Sequence, residues 1–281
     1  MNGKYCLVTG ATQGIGLETA RALAAGGAHV LVHGRDMSQA RAACERLAGA
    51  TGGERLQPVA ADFADLAQVR RLAGELAAAL PRLDVLVNNA GMMSAARGRS
   101  AEGYDLTFQV NHLAPFLLTR LLLPRLAAST PARIVVVSSA AHRRAQLDFS
   151  DLMNERVAGL MPAYARSKLA NLLFVRALAP RLAGSGVTVN ALHPGLVRSH
   201  IFHRSRPLAG VLAVLGPLFM LTPARGARTS IFLATAPQVE GLSGAYYERC
   251  RPVQPSAAAQ DAAAAERLWR ESERLTGLPA A

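Results

Sequence analysis

Short apolar runs alternate along this chain with longer stretches in which apolar residues recur every three or four positions. The runs predict six strands, at Lys4–Thr9, His29–His33, Leu56–Ala60, Asp84–Val87, Arg133–Ser138 and Val187–Leu192. The stretches between them predict helices, at Gly14–Ala25, about Ser38–Ala48, Leu66–Leu80, about Tyr104–Ala127 and Pro162–Leu182. A last helical pattern includes the alanine-rich segment Ala257–Ala265 and ends near Thr276.

Several predicted strands contain continuous apolar runs rather than alternating ones, such as Val30–Val32 and Ile134–Val137. Strands of this kind are buried on both faces, which is typical of parallel sheets covered by helices on both sides. Regular strand–helix alternation predicts βαβ units with right-handed crossovers. We therefore expect one α/β domain over residues 1–281, built on a doubly wound parallel sheet.

Charge and composition exclude several classes of function. The net charge is +12, and Lys4 and Lys168 are the two lysines among 31 basic residues, so the others are arginines. They are spread along the chain without a basic run, which indicates a solvated surface rather than a nucleic-acid site. The choice of lysine at position 168, in a chain that otherwise uses arginine, makes Lys168 conspicuous.

The cysteines Cys6, Cys44 and Cys250 are few and far apart, so we expect neither a disulfide framework nor a zinc site. The histidines show no metal-binding spacing, and we expect no metal. The sequence begins without a secretory pattern. No uncharged run reaches the ~20 residues of a membrane span, since Pro217 interrupts Pro207–Thr222. These observations predict a cytoplasmic protein.

A glycine-rich segment, Thr9 to Gly16, joins the first predicted strand to the first predicted helix. Glycines allow the turn and let a phosphate approach the helix N-terminus, so the segment indicates a dinucleotide site. The second strand ends in His33-Gly34-Arg35-Asp36. Because Gly34 replaces an acid there and Arg35 follows, NADP(H) is favoured over NAD(H). Asp36 is read either as a ribose ligand or, preferably, as a helix cap.

Further polar residues follow other strands. Asp62 can bind adenine or cap a helix, and Asn88-Asn89-Ala90-Gly91 ends the fourth strand. Carboxyl ends of parallel strands are where open α/β sheets bind ligands. Ser139 ends the fifth strand at the same edge, where its hydroxyl can hold a substrate oxygen.

Tyr164 and Lys168 are four residues apart, so both lie on one face of the predicted helix. An ammonium beside a tyrosine lowers the phenol pKa towards neutral pH, which suits proton transfer at an alcohol or carbonyl. Asn111 is a polar residue in an otherwise apolar helix. His142 and His193 are interpreted as structural.

Taken together, these motifs resemble the short-chain dehydrogenase/reductase family. The resemblance rests on TGATQGIG, NNAG, Asn111, Ser139, the Tyr164–Lys168 pair and Pro194-Gly195, in the family's order. VSSAAH, AYARSKLANLLF, GVTVNALHPGLV and the C-terminal part are similar to its retinol-dehydrogenase-like branch. The resemblance covers about residues 4–278 and implies a Rossmann-type fold.

The resemblance implies roles for individual residues. Tyr164 would be the general acid/base, Lys168 would bind the nicotinamide ribose, Ser139 would orient the carbonyl, and Asn111 would support a proton relay. The implied cofactor contacts are Gly10, Thr12, Gln13, Gly14, Ile15, Gly16, Arg35, Asp62, Phe63, Asn89, Ala90, Gly91, Tyr164, Lys168, Pro194, Gly195, Val197 and Ser199. Ser199 stands where a threonine is common in the family.

The apolar stretch Leu208–Leu221 is interpreted as part of a substrate lid at about 200–222. An apolar lid predicts a small apolar alcohol, aldehyde or ketone as substrate. The competing interpretation is a peripheral membrane contact flanked by arginines. The expected function is an NADP(H)-dependent oxidoreductase, and the alternative is a non-catalytic NADP(H)-sensing protein. Family members often pair through their long helices, so a homo-oligomer is plausible.

Overall fold

The computed structural model describes residues 1–51, 53, 55–93, 98–197 and 220–280, without the side chains of residues 50 and 51. Its sheet has the strand order β3-β2-β1-β4-β5-β6-β7-β8, and every pair is parallel except the last. The strands are β1 (Tyr5–Val8), β2 (His29–Gly34), β3 (Leu56–Ala60), β4 (Val85–Asn88), β5 (Ala132–Val137), β6 (Val187–His193), β7 (Tyr246–Glu248) and β8 (Arg251–Pro252).

The described helices connect these strands and then close the C-terminal end. They are α1 (Gly14–Ala25), α2 (Met37–Thr51), α3 (Leu66–Ala79), α4 (Leu106–Phe108), α5 (Ala114–Ala127), α6 (Leu160–Arg181), α7 (Pro223–Thr235) and α8 (Ala262–Thr276). The six predicted strands are confirmed to within a few residues at each end, as are the helices predicted over Gly14–Ala25, Ser38–Ala48, Leu66–Leu80 and Pro162–Leu182. The Rossmann-type doubly wound fold is confirmed with them.

Side chains on the two faces of the sheet enter two separate cores, which explains the continuous apolar runs in the strands. In β1, Leu7 faces the core shared with α3, α5, α6 and α8. Its neighbours Cys6 and Val8 face the core shared with α1, α2 and α7. Because side chains alternate along a strand, a strand covered on both sides needs apolar residues at odd and even positions alike.

Three elements at the C-terminal end of the sheet are absent from the sequence prediction. Strands β7 and β8 contain three and two residues, too few to show a periodic pattern. They are joined by a tight turn in which Arg249 and Cys250 both have positive φ. Helix α7 follows residues outside the described ranges and packs on α1.

The helix predicted over Tyr104–Ala127 is not continuous. A π-helical turn at Gln109–Leu113 separates α4 from α5. Such turns are rare and concentrate at functional sites, and this one carries Asn111. Sequence periodicity cannot reveal it, because one inserted residue changes the helical register only locally.

Helix α8 packs against α6 and meets α5 through the side chains of Phe116 and Arg120. Trp269 stacks on Phe174 at a centroid distance of 6.1 Å and meets Phe116 edge-on at 5.0 Å. Arg120 and Arg181 lie over the indole, and Arg120 pairs with Glu273. Large aromatic clusters of this kind dominate packing energy. Within the described residues, no helix is both long and apolar enough to cross a bilayer.

Candidate active site

Two glycines let the β1–α1 loop pass close to the loop after β4. Gly10 has a φ of +62°, and a Cβ there would lie 2.9 Å from the Cα of Ala90. A Cβ at Gly16 would lie 2.5 Å from Nδ2 of Asn89 and would overlap the carbonyl oxygen of Gly10. Both contacts are closer than side-chain carbons tolerate, so this packing requires glycine at the two positions.

The N-terminus of α1 is open to a ligand. Gln13 occupies the N-cap without a side-chain hydrogen bond to the helix. Gly14 has a φ of +58°, and nothing lies within 4 Å of the position its Cβ would take. The first N–H groups of a helix lack partners within the helix and carry partial positive charge. This end of α1 therefore fits a phosphate group of a dinucleotide.

Thr9 holds the two ligand-side loops together, a role that sequence reasoning missed. Its buried hydroxyl accepts hydrogen bonds from the backbone N–H groups of Asn89 and Ala90, both at 2.9 Å, and donates to the carbonyl of Val87. Asn89 Nδ2 in turn donates to the carbonyls of Thr9 and Gly10. The Asn89 side chain thus braces the glycine loop from within. The sequence indicated that Asn89 lies at the end of the fourth strand, but not which groups its side chain binds.

At the tip of β2, the structure separates the roles of three adjacent residues. A Cβ at Gly34 would lie 2.8 Å from Cγ2 of Thr12, so no acidic side chain fits there. Arg35 is exposed and forms no ion pair among the described residues. Asp36 accepts a hydrogen bond from the backbone N–H of Gln39 at 2.8 Å, which confirms the helix-capping interpretation.

At the end of β3, the side chain of Asp62 is partly exposed and accepts from the backbone N–H of Ala64 at 3.0 Å. The cap of α3 is Asp65, not Asp62. Phe63 is buried against the ring of His33, at a centroid distance of 4.6 Å, so its side chain does not line the edge of the sheet.

Asn111 is fully buried and fastens the loop after β4 to α6. Its Oδ1 accepts from the N–H of Met92 at 2.7 Å, and its Nδ2 donates to the carbonyl of Met92 and to Ser167 Oγ. The amide hydrogens are both used, so the side chain acts as a brace. A Cβ at Gly91 would lie 3.3 Å from Asn111 Oδ1 and 3.2 Å from Lys168 Nζ.

Ser139 ends β5 and caps a short 3₁₀ turn, Ala140–Arg144. Its Oγ accepts from the N–H of Ala141 at 3.2 Å. Accepting that bond leaves the hydroxyl hydrogen free to donate, and the hydroxyl interacts with the phenol of Tyr164. The two predicted catalytic residues are therefore adjacent, although 25 positions separate them in the chain.

Tyr164 is 8% exposed at the start of α6. Burial raises the pKa of its phenol, and the hydrogen bond with Ser139 offsets this in part. The direction is opposite to that expected from the ammonium alone, because burial acts more strongly on the phenolate than the neighbouring groups do.

Lys168 is 3% exposed, and its Nζ lies 5.6 Å from the centre of the Tyr164 ring. The ammonium donates to the carbonyl of Val137 at 3.1 Å. Burial lowers the pKa of Lys168 to about 8. With one hydrogen used by Val137, the remaining hydrogens of the ammonium are available at the sheet edge, on the side of Gly91.

After β6, Pro194 and Gly195 lead to Val197, which forms an isolated parallel bridge with Leu221. Val197 also contacts the α7 backbone closely, since a Cβ at Gly226 would lie 2.5 Å from its Cγ2 and 3.2 Å from Cγ1 of Ile15. This joins the segment to the glycine loop. Ser199 and most of the lid predicted at about 200–222 lie outside the described residues. Within the described ranges no cluster of potential metal ligands exists.

Comparison with known proteins gives the arrangement a context. A family model described as short chain dehydrogenase matches residues 4–208. The chain is 45% identical to dehydrogenase/reductase SDR family member 13 of Bos taurus, over 99% of the chain and 74% of that protein. It is 42% identical to retinol dehydrogenase 14 of Mus musculus, over 99% of the chain and 87% of that protein.

Solved structures agree. An uncharacterised protein from Mycobacterium paratuberculosis superimposes with a TM-score of 0.80 at 34% identity, covering 99% of this chain and 94% of that one. The Pseudomonas aeruginosa RhlG/NADP complex superimposes with a TM-score of 0.71 at 28% identity, covering 92% of this chain and 97% of that one.

Proposed function

The chain belongs to the short-chain dehydrogenase/reductase family, in its retinol-dehydrogenase-like branch, and on this premise we propose an NADP(H)-dependent reaction on apolar substrates. It is an oxidoreductase that acts on CH–OH groups with NAD(P). The finer proposal is that it interconverts an apolar alcohol with its aldehyde or ketone, with Tyr164 as the general acid/base.

The observation that carries this proposal is the meeting of Ser139, Tyr164 and Lys168 at the carboxyl edge of the sheet, beside Gly91. The glycine loop and Gly91 follow β1 and β4, the neighbouring strands between which the strand order reverses. Ligands bind at such switch points in open α/β sheets. A dinucleotide with phosphates at the N-terminus of α1 would extend along this edge towards Lys168.

Bound NADP(H) would supply or accept the hydride. The chain's own residues handle the oxygen and its proton. The Ser139 hydroxyl donates to the substrate oxygen and holds it beside the phenol. With a raised pKa, Tyr164 carries its proton at neutral pH and donates it to a carbonyl oxygen during reduction. Oxidation needs the phenolate, so its rate should rise with pH more steeply than that of reduction.

The preference for NADP(H) is proposed from the tip of β2. Arg35 is exposed and without an ion-pair partner in the described residues, while the carboxylate of Asp36 is held by Gln39. The tip therefore offers a guanidinium for a 2′-phosphate and no free acid for a 2′-hydroxyl. The RhlG complex with NADP is consistent with this assignment.

The substrate class is proposed from two features. Relatives at this similarity are named retinol dehydrogenases, and the sequence between β6 and α7 is strongly apolar. The test is a panel of all-trans-retinaldehyde, nonanal and charged aldehydes, each assayed with NADPH and with NADH. Turnover of the apolar members with NADPH is expected. Preference for the charged members would contradict the assignment.

Substitution of Tyr164 by Phe tests the proton transfer. We expect Tyr164→Phe to reduce turnover by at least about 100-fold, since general acid–base catalysis contributes 10²–10⁴-fold. NADPH should still bind, as measured by quenching of Trp269 fluorescence or by calorimetry. Tyr5→Phe, at the opposite edge of the sheet, is the matched control. Retained turnover in Tyr164→Phe would contradict the mechanism. NADPH binding without turnover in the wild-type chain would instead indicate the sensing protein.

Substitution of Arg35 tests the cofactor preference. Arg35→Ala should raise the KM for NADPH by about 10-fold or more, because a charged hydrogen bond contributes about 1.5–3 kcal/mol. The KM for NADH should change little. Arg41→Ala, on the exposed side of α2, is the control. Equal effects on both cofactors would rule out a phosphate contact.

The packing of α8 bears on how two copies of the chain could associate. The resemblance implies pairing through long helices, and Trp269 of α8 lies against two of the described helices, α5 and α6. We propose that any homo-oligomer uses surface that α8 leaves uncovered. Gel filtration with light scattering measures the state directly.

A further inference from the structure

One peptide group beside the catalytic serine is held on both sides by histidines. The peptide that joins Ser139 to Ala140 has its carbonyl oxygen 2.7 Å from Nδ1 of His142. Its N–H lies 3.2 Å from Nδ1 of His193. The two rings come from different elements, since His142 lies in the 3₁₀ turn after β5 and His193 ends β6.

The partners fix which nitrogen of each ring carries a hydrogen. A carbonyl only accepts, so Nδ1 of His142 donates to Ser139, and its Nε2 accepts from the N–H of Ser256 at 3.2 Å. The N–H of Ala140 only donates, so Nδ1 of His193 accepts and its hydrogen is on Nε2. Both rings are therefore neutral, and in opposite tautomers.

We propose that His142 and His193 are positioning residues that clamp the Ser139–Ala140 peptide plane and thereby set the direction of the Ser139 hydroxyl. This inference rests on the proposed role of Ser139. The peptide plane determines where the Ser139 Cβ points, and the N–H of Ala141, one residue further on, holds Oγ itself. A hydroxyl displaced by about 1 Å costs up to roughly 100-fold in rate.

The clamp also connects three parts of the site. His193 immediately precedes Pro194 and Gly195, the proposed nicotinamide side. His142 is fully buried, lies edge-on to Tyr246 at a centroid distance of 5.1 Å, and reaches the segment after β8 through Ser256. Strands β7 and β8, which the sequence pattern did not predict, and the segment after them therefore support Ser139 through the ring of His142.

Burial is the main cause that lowers the pKa of both histidines. His142 faces the carbonyl of Ser139, Arg143 and Glu248, and His193 faces Glu248, His142, Arg143 and Arg249. Glu248 favours protonation of either ring and the arginines oppose it. A proton on Nδ1 of His193 would point at the N–H of Ala140 and replace an attraction by a repulsion. Protonation of His193 in acid therefore breaks its hydrogen bond with the N–H of Ala140 and releases that side of the peptide.

The test compares variants of His193 in steady-state NADPH oxidation with nonanal. Asparagine can present Oδ1 where Nδ1 lies, and it does not titrate. We expect His193→Ala to lower kcat by about 10- to 100-fold, with little change in the KM for NADPH. His193→Asn should recover most of kcat at pH 7.5 and retain more of it than the wild type as the medium becomes acidic.

His142 offers a second comparison. His142→Asn keeps a donor for the carbonyl of Ser139 and loses the acceptor for Ser256, whereas His142→Gln keeps the acceptor and loses the donor. If the peptide plane matters, the Asn variant should have the higher kcat. His29→Asn, at the far end of β2, is the control and should match the wild type. Circular dichroism at each pH confirms that every variant is folded.

The results separate this inference from the proposed function. Equal kcat in His193→Ala and the wild type, or no recovery in His193→Asn, would overturn the clamp while Tyr164→Phe remains inactive. Activity in Tyr164→Phe would instead overturn the proposed function. If His193→Ala does not fold, the comparison of His193→Asn with the wild type still decides. The clamp is overturned if kcat decreases equally in both as the pH falls.

Discussion

The glycine loop depends on a histidine that cannot be protonated without losing the hydrogen bond it accepts from the N–H of Gly10. His33 is 3% exposed, its Nδ1 accepts from the N–H of Gly10 at 3.1 Å, and its Nε2 donates to the carbonyl of Ala61 at 3.1 Å. Both nitrogens are used in the neutral form. Burial lowers the pKa of His33 from 6.5 to about 4, with the bond to Ala61 opposing it.

This shift makes the stability of the fold depend on pH. Between the two pKa values the unfolded chain binds a proton that the folded chain does not. The stabilisation is therefore fully present above about pH 6.5, decreases as the pH falls, and changes no further below about pH 4. At about 1.36 kcal/mol per pKa unit, His33 contributes roughly 3 kcal/mol in total, of which about 2 kcal/mol is lost between pH 7 and pH 5.

The assay is urea unfolding at pH 7, 6 and 5 for the wild type and His33→Asn. Asparagine can accept from Gly10 through Oδ1 but cannot donate to Ala61, so we expect a loss of about 1–3 kcal/mol at pH 7. The pH dependence should then be flatter by about 2 kcal/mol. Burial also lowers the pKa of His112, to about 3, but this affects both proteins equally. Parallel curves for the two proteins would refute the reasoning.

Two further substitutions test the packing around the cofactor loop. Gly16→Ala should destabilise the fold by about 1–3 kcal/mol and weaken NADPH binding, because its Cβ would lie 2.5 Å from Nδ2 of Asn89. Gly74→Ala, in the exposed middle of α3 with nothing within 4 Å of its Cβ, should instead raise stability by about 0.5–1 kcal/mol; equal melting temperatures for both variants would contradict the packing argument. Thr9→Val removes the acceptor of two partly buried N–H groups, and it should cost about 1–3 kcal/mol of stability and weaken NADPH binding. Unchanged NADPH affinity in Thr9→Val, measured by calorimetry, would show that the two loops do not need this brace.

Much of the catalytic arrangement was predictable because parallel strands end at one edge. Once β1, β4, β5 and β6 were recognised as buried parallel strands, the residues that follow each of them had to lie together. Ser139 and Gly91 were found in this way. The spacing of Tyr164 and Lys168 placed both on one helical face, and the structure confirms that they lie near Ser139 and Gly91 respectively.

Other features depend on partners that are distant in sequence. Nothing local indicates that Thr9 braces Asn89, that a π-helical turn carries Asn111, or that the ring of Phe63 packs on His33. The direction of the Tyr164 pKa shift also needed the structure, because the effect of a nearby lysine is read from spacing whereas burial is not.

The sequence by itself determined the order of the first six strands and of most helices, the family, and the residues of the proposed acid–base site, because hydrophobic periodicity and short motifs are local properties of the chain. Only the tertiary structure decided how these residues are held. The two histidines join segments that are far apart in the chain: His193 accepts from the N–H of Ala140 across 53 positions, and His142 accepts from the N–H of Ser256 across 114. Such contacts exist only after the sheet has brought its strand ends together.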